Sequence, residues 1–180
     1  LKWLGRYLKG TRDKGLIISP DGPSGLEVYV DADFIGNWDP QDTDNRDTAR
    51  FRHGYIVKYN GCPITWKSQM ATEIALSSTE SEYTGASYAL RDAIPIMRLI
   101  KELKTEGFPV GSGRAKVHCR LYEDNSGALE ILKNPKYRPR TKHLHVKLHH
   151  FRDYVARGEI TIHAISTHDQ QADYLTKPVN

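Results

Sequence analysis

The strongest constraint on the fold lies between residues 54 and 66. Gly54-Tyr55-Ile56-Val57-Lys58-Tyr59 and Pro63-Ile64-Thr65-Trp66 are strand-like runs on either side of Asn60-Gly61. Asn-Gly accepts the positive φ angles of a two-residue hairpin turn, so the two runs are predicted to pair antiparallel. A further strand is predicted upstream over 26–32, with Leu26, Val28 and Val30 on one face. The body of the chain thus opens with three consecutive strands. A long helical pattern follows over 79–103, where both Ser77-x-x-Glu80 and Thr79-x-x-Glu82 have capping-box spacing. Pro95 is expected to kink or interrupt that helix.

The alternation of Val117, Cys119 and Leu121 predicts a strand that continues to Glu123. Helices are predicted over 126–133, 142–157 and 168–176, with a last strand over 160–165. The order β-β-β-α-β-α-α-β-α describes an α/β fold: a mixed five-stranded sheet, three antiparallel strands first, flanked by helices. Ahead of the body, a helix over 1–9 is stopped by Gly10, and a short strand is predicted over 15–19. Pro20-Asp21-Gly22-Pro23-Ser24-Gly25 is a strong turn signal and marks the boundary between this appendage and the body.

Composition excludes several classes. In 180 residues no apolar run approaches the ~18 residues of a membrane span. The first residues have no signal-peptide apolar region, and the absence of an initiator Met suggests a piece of a longer polypeptide. Two cysteines, Cys62 and Cys119, make neither a disulfide framework nor a Cys-rich zinc site, and point to a reducing, intracellular setting. The net charge of +4 is modest, but its distribution is uneven: Ile131 to Arg152 holds seven Lys or Arg and no Asp or Glu. A basic stretch beside misplaced carboxylates suggests a polyanion held next to metal ions, and a solvated helix face is the plainer reading.

Four acids stand where the pattern calls for other residues. Asp31 ends the first strand, and Asp33 follows on the same side as an ordinary turn acid. Glu82 shares a helix face with Ala86, Ala89, Leu90 and Ala93, which should pack on the sheet. A carboxylate on that stripe is costly unless paired or metal-bound, although capping would also explain it. Asp124 follows a strand and precedes a helix, as an N-cap does. Asp173 sits on the last predicted helix, where solvated acids are common. Brought to one sheet edge, the four repel, and hard divalent cations with oxygen ligands relieve the repulsion. No His and Cys cluster has zinc-site spacing, and His143, His145, His149 and His150 read as the polar face of a helix.

Several motifs in order carry a family resemblance. They are the runs Tyr29 to Trp38, Ala75 to Tyr83, Glu123 to Ala128, Arg140-Thr141-Lys142-His143-Leu144 and Gln171 to Pro178. They resemble the ribonuclease H domain of copia-type (Pseudoviridae) LTR-retrotransposon polyproteins across almost the whole chain. Arg6 to Thr11 is similar to the segment joining that domain to the upstream reverse transcriptase. The resemblance divides the chain into a connection over 1–25 and a ribonuclease H domain over 26–180. It implies the ribonuclease H fold and metal-dependent endonucleolytic hydrolysis of the RNA strand of RNA/DNA hybrids, giving 5′-phosphate and 3′-hydroxyl ends. It also implies two magnesium ions, with manganese as a substitute, held by Asp31, Glu82, Asp124 and Asp173. The expected partners are an RNA/DNA hybrid and the polymerase domain of the same polyprotein, with no membrane, inside intracellular virus-like particles.

Lys136, Arg138, Arg140, Lys142 and Lys147 are expected to hold backbone phosphates, together with Lys133 and Arg152. Asn125 is expected at a ribose 2′-hydroxyl, or else in a helix N-terminal turn. Cellular ribonucleases H carry a histidine some way before the last acid. The link from Ile165 to Asp173 is short here, and His168 is the nearest candidate, with a surface position as its plainer reading. A module that binds the hybrid or tethers a polymerase without cutting is the rival reading, and the four intact acids count against it. An integrase or transposase core places its Glu last, whereas Glu82 comes second.

Overall fold

The computed structural model describes residues 2–15, 17–20, 25–35, 38–45, 47–110, 118–133 and 150–177. Five strands form one sheet: β1 (Leu26–Asp33), β2 (Arg52–Tyr59), β3 (Cys62–Met70), β4 (Cys119–Glu123) and β5 (Ile160–Ala164), in the order β3-β2-β1-β4-β5. β1, β2 and β3 run as an antiparallel meander, while β4 and β5 lie parallel to β1 and to each other. The helices are α1 (Lys2–Gly10), α2 (Ser78–Thr105), α3 (Ser126–Lys133) and α4 (150–156). The chain closes on two 3-10 turns, Thr167–Asp169 and Asp173–Leu175.

The hairpin forms as its dipeptide demands. Asn60 and Gly61 have φ of 49° and 83°, the double positive φ of a turn whose twist matches the flanking strands. Ser77 caps α2 by accepting the Glu80 amide. The Glu80 carboxylate takes the Leu76 amide, so Glu80 is used in capping. One face of β1 (Leu26, Val28, Val30) packs against Ala86, Ala89, Leu90 and Ala93 of α2. Small side chains on that stripe let the helix lie close to the sheet. Tyr55, Val57, Leu121, Ile160, Leu132 and Phe151 extend the same core.

Four expectations are corrected or bounded. Pro95 does not interrupt α2, which runs unbroken from Ser78 to Thr105. Pro95 is exposed, so its missing N–H falls on the solvent side, while buried Ala93, Ile94 and Met97 hold the helix to the core. The short strand over 15–19 is absent from described residues 17–20, where Ile17 and Ile18 are exposed and no sheet edge is paired. The last helix is replaced by the two 3-10 turns, because Gln170 between them is extended and turned into the protein. Of the helix over 142–157, residues 142–149 lie outside the described residues, and helix is present over 150–156.

Candidate active site

The site grows from a gap in the sheet. β1 pairs with parallel β4 only from Leu26 to Tyr29, and beyond Tyr29 the two strands separate at their carboxyl ends. Parting of parallel strands exposes backbone groups and opens a crevice, the usual place for ligands in such sheets. The freed Val30 carbonyl accepts from Nε2 of buried Gln170. The freed Ala32 amide donates to Glu82. The crevice is therefore lined by groups that complete the strand.

Three of the expected acids meet there. Asp31 from the end of β1, Glu82 from the first turns of α2 and Asp124 from the end of β4 offer carboxylate oxygens within 4.8 Å of one another. Asp31 and Glu82 are 5% and 7% exposed. Burial raises the Asp31 pKa, the Thr176 hydroxyl lowers it, and the charges of Asp173 and Asp124 raise it again. Burial raises Glu82 much further, helped by Glu123, Asp31 and Asp124.

Asp173 stands outside that trio but borders it. Its Oδ2 pairs with Lys177 Nζ at 2.6 Å, and its charge acts on Asp31. One residue short of Lys177, Thr176 donates to Asp31. Thr167 in the first 3-10 turn donates to Asp124 at 2.8 Å. The two turns thus position two acids each from one side, which a straight helix over 168–176 would not do.

The N-cap of α3 is Asn125, not Asp124. Asn125 Oδ1 accepts the Ala128 amide at 3.0 Å, and its carbonyl takes Leu129. Its amide oxygen is therefore committed to the helix, and Asp124 is left facing the crevice. His168 lies exposed in the first 3-10 turn. Lys136, Arg138, Arg140, Lys142 and Lys147 lie outside the described residues.

Glu123, beside these acids, is a candidate that pattern reading passed over. It is fully buried, and its Oε1 takes the Asn125 amide while Oε2 has no partner. Burial raises its pKa, as do Asp124 and Asp31. The signal was present, since Cys119, Leu121 and Glu123 alternate onto the inward face. Gln170, Thr167, Thr176 and Lys177 carried no such signal, because their roles depend on where the tail crosses the sheet.

The chain is 34% identical over 179 residues to the Retrovirus-related Pol polyprotein from transposon TNT 1-94 of Nicotiana tabacum, covering 99% of this chain and 12% of that polyprotein. Among solved structures it is similar to the N-terminal ribonuclease H domain of a Mycobacterium tuberculosis protein. There the TM-score is 0.55 at 14% identity, covering 86% of this chain and 91% of that one. Its homologues are thus Pol polyproteins of copia-type plant transposons, of which it spans a small part, and its fold is that of ribonuclease H. LC11-RNase H1, solved in complex with an RNA/DNA hybrid, shares this fold. Its TM-score is 0.50 at 15% identity, over 83% of this chain and 92% of that one. No family model matches the chain. Among the described residues no helix is long and apolar enough to cross a membrane.

Proposed function

We propose that this domain is a metal-dependent endoribonuclease that hydrolyses the RNA strand of RNA/DNA hybrids during retrotransposon reverse transcription. The observation that carries the reading is the meeting of Asp31, Glu82 and Asp124, from three separate elements, at one sheet crevice. The donor set suits a hard divalent cation. It is all carboxylate oxygen, and Glu82 Oε2 and Asp173 Oδ1 are buried without a partner. Asp31, Glu82, Asp124 and Asp173 would hold two magnesium ions, or manganese in their place. When bound, such ions supply activation of water and stabilisation of the leaving 3′ oxygen, giving 5′-phosphate ends.

The chain's own residues do the positioning. Thr176 orients Asp31 and Thr167 orients Asp124. Asn125 anchors the start of α3 directly after Asp124, close to where a ribose 2′-hydroxyl would be read. Lys136, Arg138, Arg140, Lys142 and Lys147 would hold backbone phosphates and fix the hybrid's register. The proposed partners are the hybrid and the polymerase domain of the same polyprotein. Residues 1–25 would connect to that domain, a reading supported by α1, which buries none of its residues, and by a core that begins at Leu26. Cys62 and Cys119, both buried free thiols, suit the proposed intracellular particle.

The test is cleavage of an end-labelled RNA strand annealed to DNA, with magnesium, manganese or EDTA, beside Asp124→Asn. Metal-dependent cutting that is lost in the variant is the expected result. Full activity in Asp124→Asn overturns the site assignment. Tight hybrid binding without cutting favours the tether reading.

A further inference from the structure

The carboxylate cluster is rich in acid and poor in cations. Asp31, Glu82, Glu123, Asp124 and Asp173 crowd one crevice, and among the described residues the ammonium that acts on Asp31, Asp124 and Asp173 is that of Lys177. Lys177 Nζ lies 2.6 Å from Asp173 Oδ2, and its charge also acts on Asp31 and Asp124. The Lys177 side chain is 51% exposed and that of Asp173 is 22% exposed. The neighbouring residue, Thr176, is buried and bonded to Asp31. The backbone is thus anchored while the lysine head group is free to swing into water. Lysine suits that task, being a compact point charge on a flexible stem. The other Asp173 oxygen, Oδ1, is buried and has no partner, so Lys177 satisfies this acid only in part.

We infer that Lys177 is a displaceable counter-ion of the acidic site: its ammonium stands in for positive charge before a divalent ion binds, and it withdraws from Asp173 as the ion enters. The inference rests on the proposed reading that these carboxylates take divalent ions. The competition is for the same lone pairs on Asp173 Oδ2. It has a definite sign. If Lys177 braced Asp173 for the ion, removing it would weaken metal binding. If Lys177 competes with the ion, removing it tightens metal binding.

The experiment uses the full chain without nucleic acid, as wild type, Lys177→Gln, Lys177→Arg and Asp124→Asn. Manganese binding is followed by the paramagnetic resonance of free Mn2+ and by calorimetry, and melting is recorded in EDTA and in saturating Mn2+. Lys177→Gln should bind Mn2+ roughly three- to tenfold more tightly, since a half-exposed charge is only partly screened. The gain should shrink as KCl rises. Metal-free Lys177→Gln should melt below the wild type, metal-saturated Lys177→Gln should melt with it, and Lys177→Arg should stay close to it throughout. Unchanged or weaker Mn2+ binding in a folded Lys177→Gln, with normal binding by the wild type, overturns this inference alone. No Mn2+ uptake by the wild type overturns the metal-site reading and this inference with it.

Discussion

Gly54→Ala tests how the last turns govern the site. Gly54 pairs with Asp31 across β1 and β2, and the segment ending at Thr176 lies directly over it. A Cβ at position 54 would stand 2.6 Å from Leu175 Cβ, 3.1 Å from Thr176 Cγ2 and 3.3 Å from the Leu175 carbonyl carbon. Carbon atoms settle near 3.5–4.0 Å, so the turn must retreat by about 1 Å. Two of those three atoms are backbone or next to it, so no side-chain rotation relieves the clash. Overpacking of this kind costs about 1–3 kcal/mol. Replacing a strand glycine by alanine returns roughly 0.5–1 kcal/mol, so sterics win by about 1–2 kcal/mol. The loss of global stability is capped by what docking of the tail contributes, because the tail can lift off locally. Function has no such cap. The moving turn holds Asp31 through Thr176 and carries Asp173 at its start, and a 1 Å misplacement can cost on the order of 100-fold in rate. Urea melts and hybrid cleavage measured side by side should show a mild loss of stability and a severe loss of activity. Cleavage at the wild-type rate would refute the argument that this turn positions the acids.

Three further outcomes are expected. His53 is 2% exposed and stacked on Tyr88, and burial, with Lys67 and Arg52, pushes its pKa down to about 4 from 6.5. The unfolded chain therefore binds the extra proton first, and stability should fall as pH drops from about 6.5 to 4, by roughly 3 kcal/mol in all. Urea melts across that range should show His53→Gln losing this slope, and an unchanged slope would remove His53 as its cause. Asn125→Ala should cost about 1 kcal/mol through the lost cap of α3, with Asn125→Ser largely restoring it; a loss of hybrid affinity with unaltered melting would instead place Asn125 on the nucleic acid. Lys142→Ala and Lys147→Ala should each weaken hybrid binding and lower its salt slope by roughly one, as read by anisotropy titrations at several salt concentrations.

Much of the architecture was legible because local rules and tertiary packing agreed. Asn60-Gly61 names its turn, Leu26, Val28 and Val30 mark one strand face, and the Ala86-Ala89-Leu90-Ala93 stripe is expected on the sheet, where it packs. Glu82 stood out as the one acid on a stripe that had to be buried. Asp124 was harder, since an acid between strand and helix is usually a cap. Only the bond from the Ala128 amide to Asn125 Oδ1 shows that the neighbour does the capping and releases Asp124 to the crevice. Pro95 misled because a proline penalty is a backbone rule, and here the affected side of the helix faces water. The tail misled because its polar run over 168–176 reads locally as helix. Its turns are set instead by distant contacts, Gln170 on Val30 and Ser68 on Leu175.

The sequence alone determined the meander, the long helix behind it and the acids that are out of place, because hydrophobic period and turn chemistry are properties of neighbouring residues. The tertiary structure decided which acids share a crevice, that Glu123 is buried beside them, and that Thr167, Thr176 and Lys177 contact them. Those facts depend on β1 and β4 parting after Tyr29 and on the tail crossing the gap. Both are settled by long-range packing and by the need to satisfy freed backbone groups, which no local pattern records.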